Sequence, residues 1–271
     1  MSPTAVATLL LRLSDRDMAV LESIRSYRLL STDLIRRLHF AQGHATIGAA
    51  SGATMRVLGR LESHGLVARL TRRIGGVRRG SSGIVWQLGA TGERLLRTVH
   101  GEKRRRRYVE PSADFILHTL AVAQHAIRLH EVAGRGAIEL VSVETEPSCW
   151  RSFVSPHGTL EWLKPDLAVV TASGDFEDHW FLEIDRATEH PPVVVRKAKT
   201  YLRYAATGAH QARHGLFPAV AWVVPDAARQ KALEAALSAD SSVQPGVFQV
   251  VTSDAFEALI TGQATAEESA S

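Results

Sequence analysis

The chain has 271 residues, of which 45% are hydrophobic and 22% charged, a composition that fits two domains of an ordinary soluble globular protein. Its single cysteine, Cys149, excludes a disulfide scaffold, and its apolar runs fall short of the ~18 residues that a membrane-spanning helix needs. Because the N-terminus also lacks the basic start and cleavage site of a signal peptide, we expect a protein of the reducing cytoplasm with no membrane partner.

Charge is distributed unevenly along the chain. The net charge of +4 combines residues 1–110, with 20 Lys and Arg against 8 Asp and Glu, and residues 111–271, with 12 Lys and Arg against 20 Asp and Glu. The first part has a net charge of +12, which suits binding to a polyanion. The second part has a net charge of −8, so its acidic residues indicate a different role. We predict a DNA-binding domain over 1–101, a basic linker over 102–111, a second domain over 112–260 and a flexible tail over 261–271.

The pattern of the first domain predicts three short helices, a hairpin and a fourth helix. Ser14 and Asp17 have the spacing of a capping box, which begins the first helix, and Ser31 begins the second. The third helix begins at Ser51 or Gly52, and a glycine ends it. The elements that follow are strands over 67–70 and 83–88 and a helix over 90–99.

This order of elements is typical of a winged helix-turn-helix, whose third helix enters the major groove of double-stranded DNA while the hairpin meets the backbone. Arg56 and Arg60 are four residues apart and therefore share one helical face. The predicted DNA contacts are Ser51, Thr54, Arg56 and Arg60 on the third helix and Arg72, Arg73, Arg78 and Arg79 in the hairpin. The alternative is that these arginines form only a solvated charged surface.

The second domain has the pattern of an α/β fold. The predicted elements are a helix over 113–132, strands over 138–143, 165–171 and 179–185, a helix from Pro191 or Pro192 to Ala206, a strand over 217–224, a helix over 225–237 and a strand over 247–251. The fold class predicted for the whole chain is therefore α/β, with a mainly helical winged helix at its N-terminus.

Three carboxylates collect on two predicted strands of the second domain. Alternation along the strand over 179–185 places Glu183 and Asp185 on one face, and Asp166 lies at the start of the preceding strand. Burying carboxylates is costly unless they are paired or bind a cation, so these residues predict a Mg²⁺ site. On the following helix, Lys197 shares the apolar stripe that faces the sheet, whereas Lys199 faces away.

These motifs, taken in order, resemble a known family. Pro165-Asp166, Glu183-x-Asp185-Arg186, Thr188-Glu189 and Lys197-x3-Tyr201 are similar to the replication-relaxation family of actinobacterial plasmids and integrative conjugative elements. The resemblance implies a winged helix joined to a domain of the PD-(D/E)xK nuclease type. By that resemblance, Asp166 and Glu183 would occupy the metal-binding and catalytic acid positions. The strand alternation described above adds Asp185 to the predicted metal ligands, and Lys197 is the predicted catalytic lysine.

The chain departs from the nuclease pattern at one position. That pattern has a lysine two residues after the glutamate, where this chain has Asp185. Lys197 would take its place from the neighbouring helix and position or polarise the nucleophile. The alternative is a decayed site, in which Glu183 merely pairs with Lys197 and Asp185 with Arg186.

Three functions are open at this point. The first is a double-stranded DNA-binding protein of a mobile element, acting in replication, relaxation or transfer, with a nuclease-like domain of little or no activity. The second is a Mg²⁺-dependent endonuclease directed by the same winged helix, and the third is a winged-helix transcriptional repressor. The partners we expect are double-stranded DNA, a second copy of the chain in a homodimer, and replication or transfer proteins of the element.

Overall fold

The computed structural model describes residues 3–70, 83–103, 111–244 and 246–263. The chain divides into two compact units, Met1–Ile127 and Arg128–Ser271, and the boundary between them lies inside one long helix. None of the described helices is long and apolar enough to cross a membrane. Most of the predicted linker and tail lie outside the described residues, as do the hairpin arginines Arg72, Arg73, Arg78 and Arg79.

The first unit combines short helices with a small antiparallel sheet. Its elements are α1 (Pro3–Leu10), α2 (Asp15–Tyr27), β1 (Leu30–Ser31), α3 (Thr32–His39), α4 (Ile47–Ser63), β2 (Val67–Arg69), β3 (Val85–Leu88), α5 (Ala90–Val99) and the first part of α6 (Ala113–Gly134). The strand order is β1-β3-β2. Ile24, Leu58, Leu61 and Trp86 are fully buried between the helices and this sheet.

Local capping explains where these helices begin. Asp17 N donates to Ser14 Oγ (3.2 Å) and Ser14 N donates to Asp17 Oδ2 (2.9 Å), which confirms the predicted capping box. Ser31 caps α3 as predicted. The predicted start of the third helix was wrong, because Thr46 caps α4 and Ser51 instead donates to the carbonyl of Ile47 within the helix.

The second unit is built on a five-stranded mixed sheet. Its remaining elements are β4 (Glu139–Thr145), β5 (Arg151–Val154), β6 (Leu160–Leu163), β7 (Leu167–Ser173), β8 (Phe176–Ile184), α7 (Pro191–Ala206), α8 (Ala209–His214), β9 (Ala219–Val224), α9 (Ala227–Ser238), β10 (Phe248–Thr252) and α10 (Phe256–Ile260). The strand order is β10-β9-β8-β7-β4, and β5 pairs with β6 in a separate hairpin.

Strand direction changes at the middle of this sheet. The strands β8, β9 and β10 are parallel, whereas β7 runs antiparallel to both β8 and β4. Parallel strands need a crossover, and α7 and α9 provide the two crossovers that return the chain to the sheet. The buried faces of α7 and α9 pack with Phe181, Val220 and Trp222 of the sheet in one hydrophobic core. The predicted α/β class is confirmed.

Candidate functional site

Asp166 and Glu183 meet where β7 begins and β8 ends. Leu167 of β7 pairs with Leu182 of β8, so the same antiparallel register places Asp166 opposite Glu183. Asp166 N donates to the carbonyl of Leu182 (3.1 Å), and Asp166 Oδ2 accepts from Ile184 N (2.7 Å). Both carboxyl groups are buried, with 5% of Asp166 and 3% of Glu183 exposed. The two predicted acids are therefore brought together inside the unit.

Helix α7 supplies the partners of Glu183. Proline at the first helical position starts α7 immediately after His190, because its fixed φ suits the first turn and no amide donor is lost. The helix then buries Ala198 and Tyr201 against the sheet. Lys197 Nζ donates to Glu183 Oε2, and the hydroxyl of Tyr201 donates to Glu183 Oε1 at 2.5 Å. Both oxygens of this carboxylate are thus engaged by α7.

Burial sets the protonation of this cluster. Burial raises the pKa of Glu183 to about 8; Lys197 opposes the rise, and the charge of Asp166 adds to it. Burial alone would lower the pKa of Lys197, but the carboxylates of Glu183 and Asp166 raise it above its usual value. Burial and the neighbouring Glu183 also raise the pKa of Tyr201 well above its usual value. Lys197 therefore carries a positive charge at neutral pH, and Tyr201 keeps the proton that it donates.

Asp185 is bonded to groups outside this cluster. Its Oδ1 accepts from Ala187 N (2.7 Å), and its Oδ2 accepts from Arg229 Nε of α9 (2.5 Å). The same guanidinium donates through Nη2 to the carbonyl of Glu189 (2.7 Å). Both charged side chains are nearly buried, at 5% exposure for Asp185 and 10% for Arg229. Asp185 is therefore the counter-ion of Arg229, a partner that the predicted decayed site did not include.

The three acids do not fit the predicted Mg²⁺ site as they are arranged. Magnesium demands near-ideal octahedral coordination by oxygen ligands. Oxygens of all three acids already accept hydrogen bonds from protein donors, namely Oδ2 of Asp166, both oxygens of Glu183 and both oxygens of Asp185. Within the described part of the chain, no group of three or more His, Cys, Asp or Glu side chains is placed to hold a metal ion.

The predicted DNA contacts on α4 differ in how far their side chains are exposed to solvent. Arg56 is exposed, whereas Thr54 is fully buried and donates to the carbonyl of Ala50 (2.8 Å), which removes it from the surface. Ser51 is partly exposed and bonds within the helix, as noted above. Arg60 Nη2 donates to Oδ1 of the buried Asp17 (2.7 Å). Burial alone would raise the pKa of Asp17, but the bonds from Arg60 and Ser14 hold it below its usual value.

Sequence reasoning missed two residues of these arrangements. Arg229 lies 44 residues after its partner Asp185, and a single arginine in the first turn of a helix carries no signal of a distant counter-ion. Tyr201 was named only as part of the motif Lys197-x3-Tyr201, and the hydrogen bond from its hydroxyl to Glu183 was not predicted. A buried tyrosine usually finds a partner for its hydroxyl, so the acid on the facing strand was the available signal.

Comparison with known proteins gives one family and one solved structure. The family model described as replication-relaxation matches residues 21–220. No curated protein matches the chain. Among solved structures, the chain is similar to the restriction endonuclease FokI bound to DNA, with 14% sequence identity and a TM-score of 0.26. That match covers 93% of this chain but 46% of the other, so the chain spans about half the length of that structure.

Proposed function

The chain belongs to the replication-relaxation family, and we propose that it binds double-stranded DNA of a mobile element during replication, relaxation or transfer. The carrying observation is the first unit, in which α3 and α4 adjoin the small sheet β1-β3-β2. A helix pair beside a three-stranded antiparallel sheet is the arrangement of a winged helix-turn-helix, with α4 as the helix for the major groove.

Charge supports the same assignment. Residues 1–110 carry +12, and the segment that joins β2 to β3 in the sequence contains four arginines. Neutralising phosphates with arginine releases counterions from DNA, which supplies most of the sequence-independent affinity. Arg56 is exposed on α4, and a bidentate arginine contact to guanine is the commonest specific contact in the major groove.

The test is duplex binding measured by fluorescence anisotropy over a salt series. We expect log K to fall with log salt, by about 0.9 for each phosphate contacted. Arg56→Ala should weaken specific binding by about 5- to 150-fold, the range of 1–3 kcal/mol for a base contact. Arg94→Ala is the matched control, because it removes the same charge from an exposed position on α5. Absence of duplex binding at low salt, or equal losses in both variants, would refute the proposal.

The competing function is a Mg²⁺-dependent endonuclease. Its support is the meeting of Asp166, Glu183 and Lys197, the residue types of a PD-(D/E)xK site. Because protein donors occupy these carboxylates, we propose instead that the second unit is a nuclease-like scaffold without cleavage activity. Nicking of supercoiled plasmid with Mg²⁺ or Mn²⁺, lost on Glu183→Gln, would establish the endonuclease in its place. A homodimer and contacts with replication or transfer proteins stay predictions.

A further inference from the structure

We propose that the ammonium group of Lys197 is the resident cation of the Asp166–Glu183 pair and occupies the place of a divalent metal ion. The native protein then binds neither Mg²⁺ nor Mn²⁺ at this position, and removal of Lys197 uncovers a latent divalent-cation site. This inference concerns the second unit alone and does not depend on DNA binding by the first.

Charge balance is the first argument. Asp166 and Glu183 bring two carboxyl groups into a buried place, and the ammonium group of Lys197 contacts Glu183 directly. Glu189 also lies within electrostatic reach of Lys197 and adds to the negative surroundings of the ammonium. A divalent ion at the same carboxylate would face a fixed positive charge at close range, where repulsion is strong because little water intervenes. The metal therefore has to displace the ammonium rather than join it.

Restraint of the partners is the second argument. Lys197 is carried by a 16-residue helix whose Val194, Ala198 and Tyr201 are buried in the core, so its backbone is fixed. The Tyr201 hydroxyl holds the other oxygen of Glu183, which prevents this carboxylate from turning away from the ammonium. The carboxyl group of Glu183 is therefore held at both oxygens by side chains of one well-packed helix.

The third argument is the absence of a replacement ligand. Asp185 is bonded to Arg229, and among the described residues no group of three or more His, Cys, Asp or Glu side chains could hold a metal ion. Mg²⁺ is usually bound by one or two carboxylates with waters and substrate phosphates. Asp166 and Glu183 therefore suffice for a hydrated ion only once the ammonium has left Glu183.

The experiment compares Mn²⁺ binding in four proteins by isothermal titration calorimetry and thermal denaturation. They are the native chain, Lys197→Ala, Lys199→Ala and the double variant Lys197→Ala/Glu183→Gln. We expect no Mn²⁺ effect in the native chain or in Lys199→Ala, since Lys199 pairs with Asp240 (2.8 Å) on the outer side of α7. Lys197→Ala should gain a site that raises its Tm by roughly 5–10 °C at about 100 times the Kd. The double variant should lose that gain.

Two outcomes would overturn the inference. One is Mn²⁺ binding to the native chain that Glu183→Gln abolishes, because the acid pair would then accept a metal beside Lys197. The other is a folded Lys197→Ala variant, checked by circular dichroism, that gains no Mn²⁺ site. If Lys197→Ala does not fold, the native titration decides alone. Loss of DNA binding would leave all of these measurements unaffected and would refute only the proposed function.

Discussion

Replacing Tyr201 with phenylalanine tests how much the acid cluster depends on one hydroxyl group. The change removes the donor to Glu183 Oε1 but keeps the aromatic ring. The centroid of this ring lies 5.8 Å from that of Phe181 and 6.0 Å from that of Trp222. A buried acceptor that loses its donor costs about 1–3 kcal/mol. At pH values above about 8, where Glu183 is charged, the effect should lie in the upper part of that range. For a unit of this size the Tm should fall by roughly 2–10 °C.

The matched control is Tyr204→Phe on the same buried face of α7. Its hydroxyl contacts a neutral partner, His210 Nδ1, at 3.2 Å, so about 0.5–1.5 kcal/mol should be lost. Urea denaturation of both variants should be followed by circular dichroism at several pH values. The loss in Tyr201→Phe should grow as pH rises toward and past about 8, where Glu183 becomes charged, whereas the loss in Tyr204→Phe should not. Equal losses, or a Tyr201→Phe effect that shrinks with pH, would refute this reasoning.

Three further predictions concern stability. The pKa of Glu183 is about 8 in the folded protein and 4.5 ordinarily, so the folded state binds the proton more tightly than the unfolded state does. This carboxyl group therefore makes the free energy of unfolding fall as pH rises from 4.5 to 8. Glu183→Gln should make urea midpoints less dependent on pH in this range, and an unchanged dependence would contradict the assignment. Arg60→Ala deprives the buried Asp17 of its guanidinium and should cost about 1–3 kcal/mol. The exposed Arg56→Ala should stay within about 0.5 kcal/mol in the same thermal denaturation, and similar shifts would argue against a structural role for Arg60. Gly92→Ala would place a Cβ 2.1 Å from the carbonyl oxygen of Leu66 and should lower the free energy of unfolding by about 1–3 kcal/mol. The control is Gly59→Ala, whose Cβ would meet nothing within 4 Å and should not destabilise the protein. Equal effects of the two variants would contradict the close packing of α5 against the backbone of Leu66.

Local patterns were enough to predict much of the fold. The caps at Ser14 and Ser31 depend on residues three positions away, and proline at the start of α7 fixes that helix in the same local way. The stripe that carries Lys197 toward the sheet follows from helical periodicity alone. The meeting of Asp166, Glu183 and Lys197 was predictable because strand alternation and helix periodicity each fixed one side of it.

Pairing between distant elements was not predictable from local patterns. Arg60 lies on the face of α4 expected to meet DNA, but the chain places the buried Asp17 within its reach. Thr54 was predicted to contact DNA, yet its hydroxyl donates to the carbonyl four residues earlier and its side chain is buried. The hairpin of β5 and β6 was missed as well. Its apolar residues lie on both faces, with Phe153 and Leu163 buried and Val154 and Trp162 exposed, so the sequence shows no strand alternation there.

The central position of β8 in its sheet determines how long the backbone around Asp166 and Glu183 keeps its hydrogen bonds. This strand is bonded along both edges, to β7 and β9, and the backbone beyond it continues this pairing through Asp185 N, which donates to the carbonyl of Val223 (2.9 Å). Amides of an interior strand exchange with solvent mainly when the whole cooperative unit opens. The Ile184 amide, whose hydrogen bond is accepted by Asp166 Oδ2, is one of these slowly exchanging amides. The strand side of the pair is therefore as long-lived as the folded unit, and fluctuations that alter the cluster on faster timescales have to arise in α7.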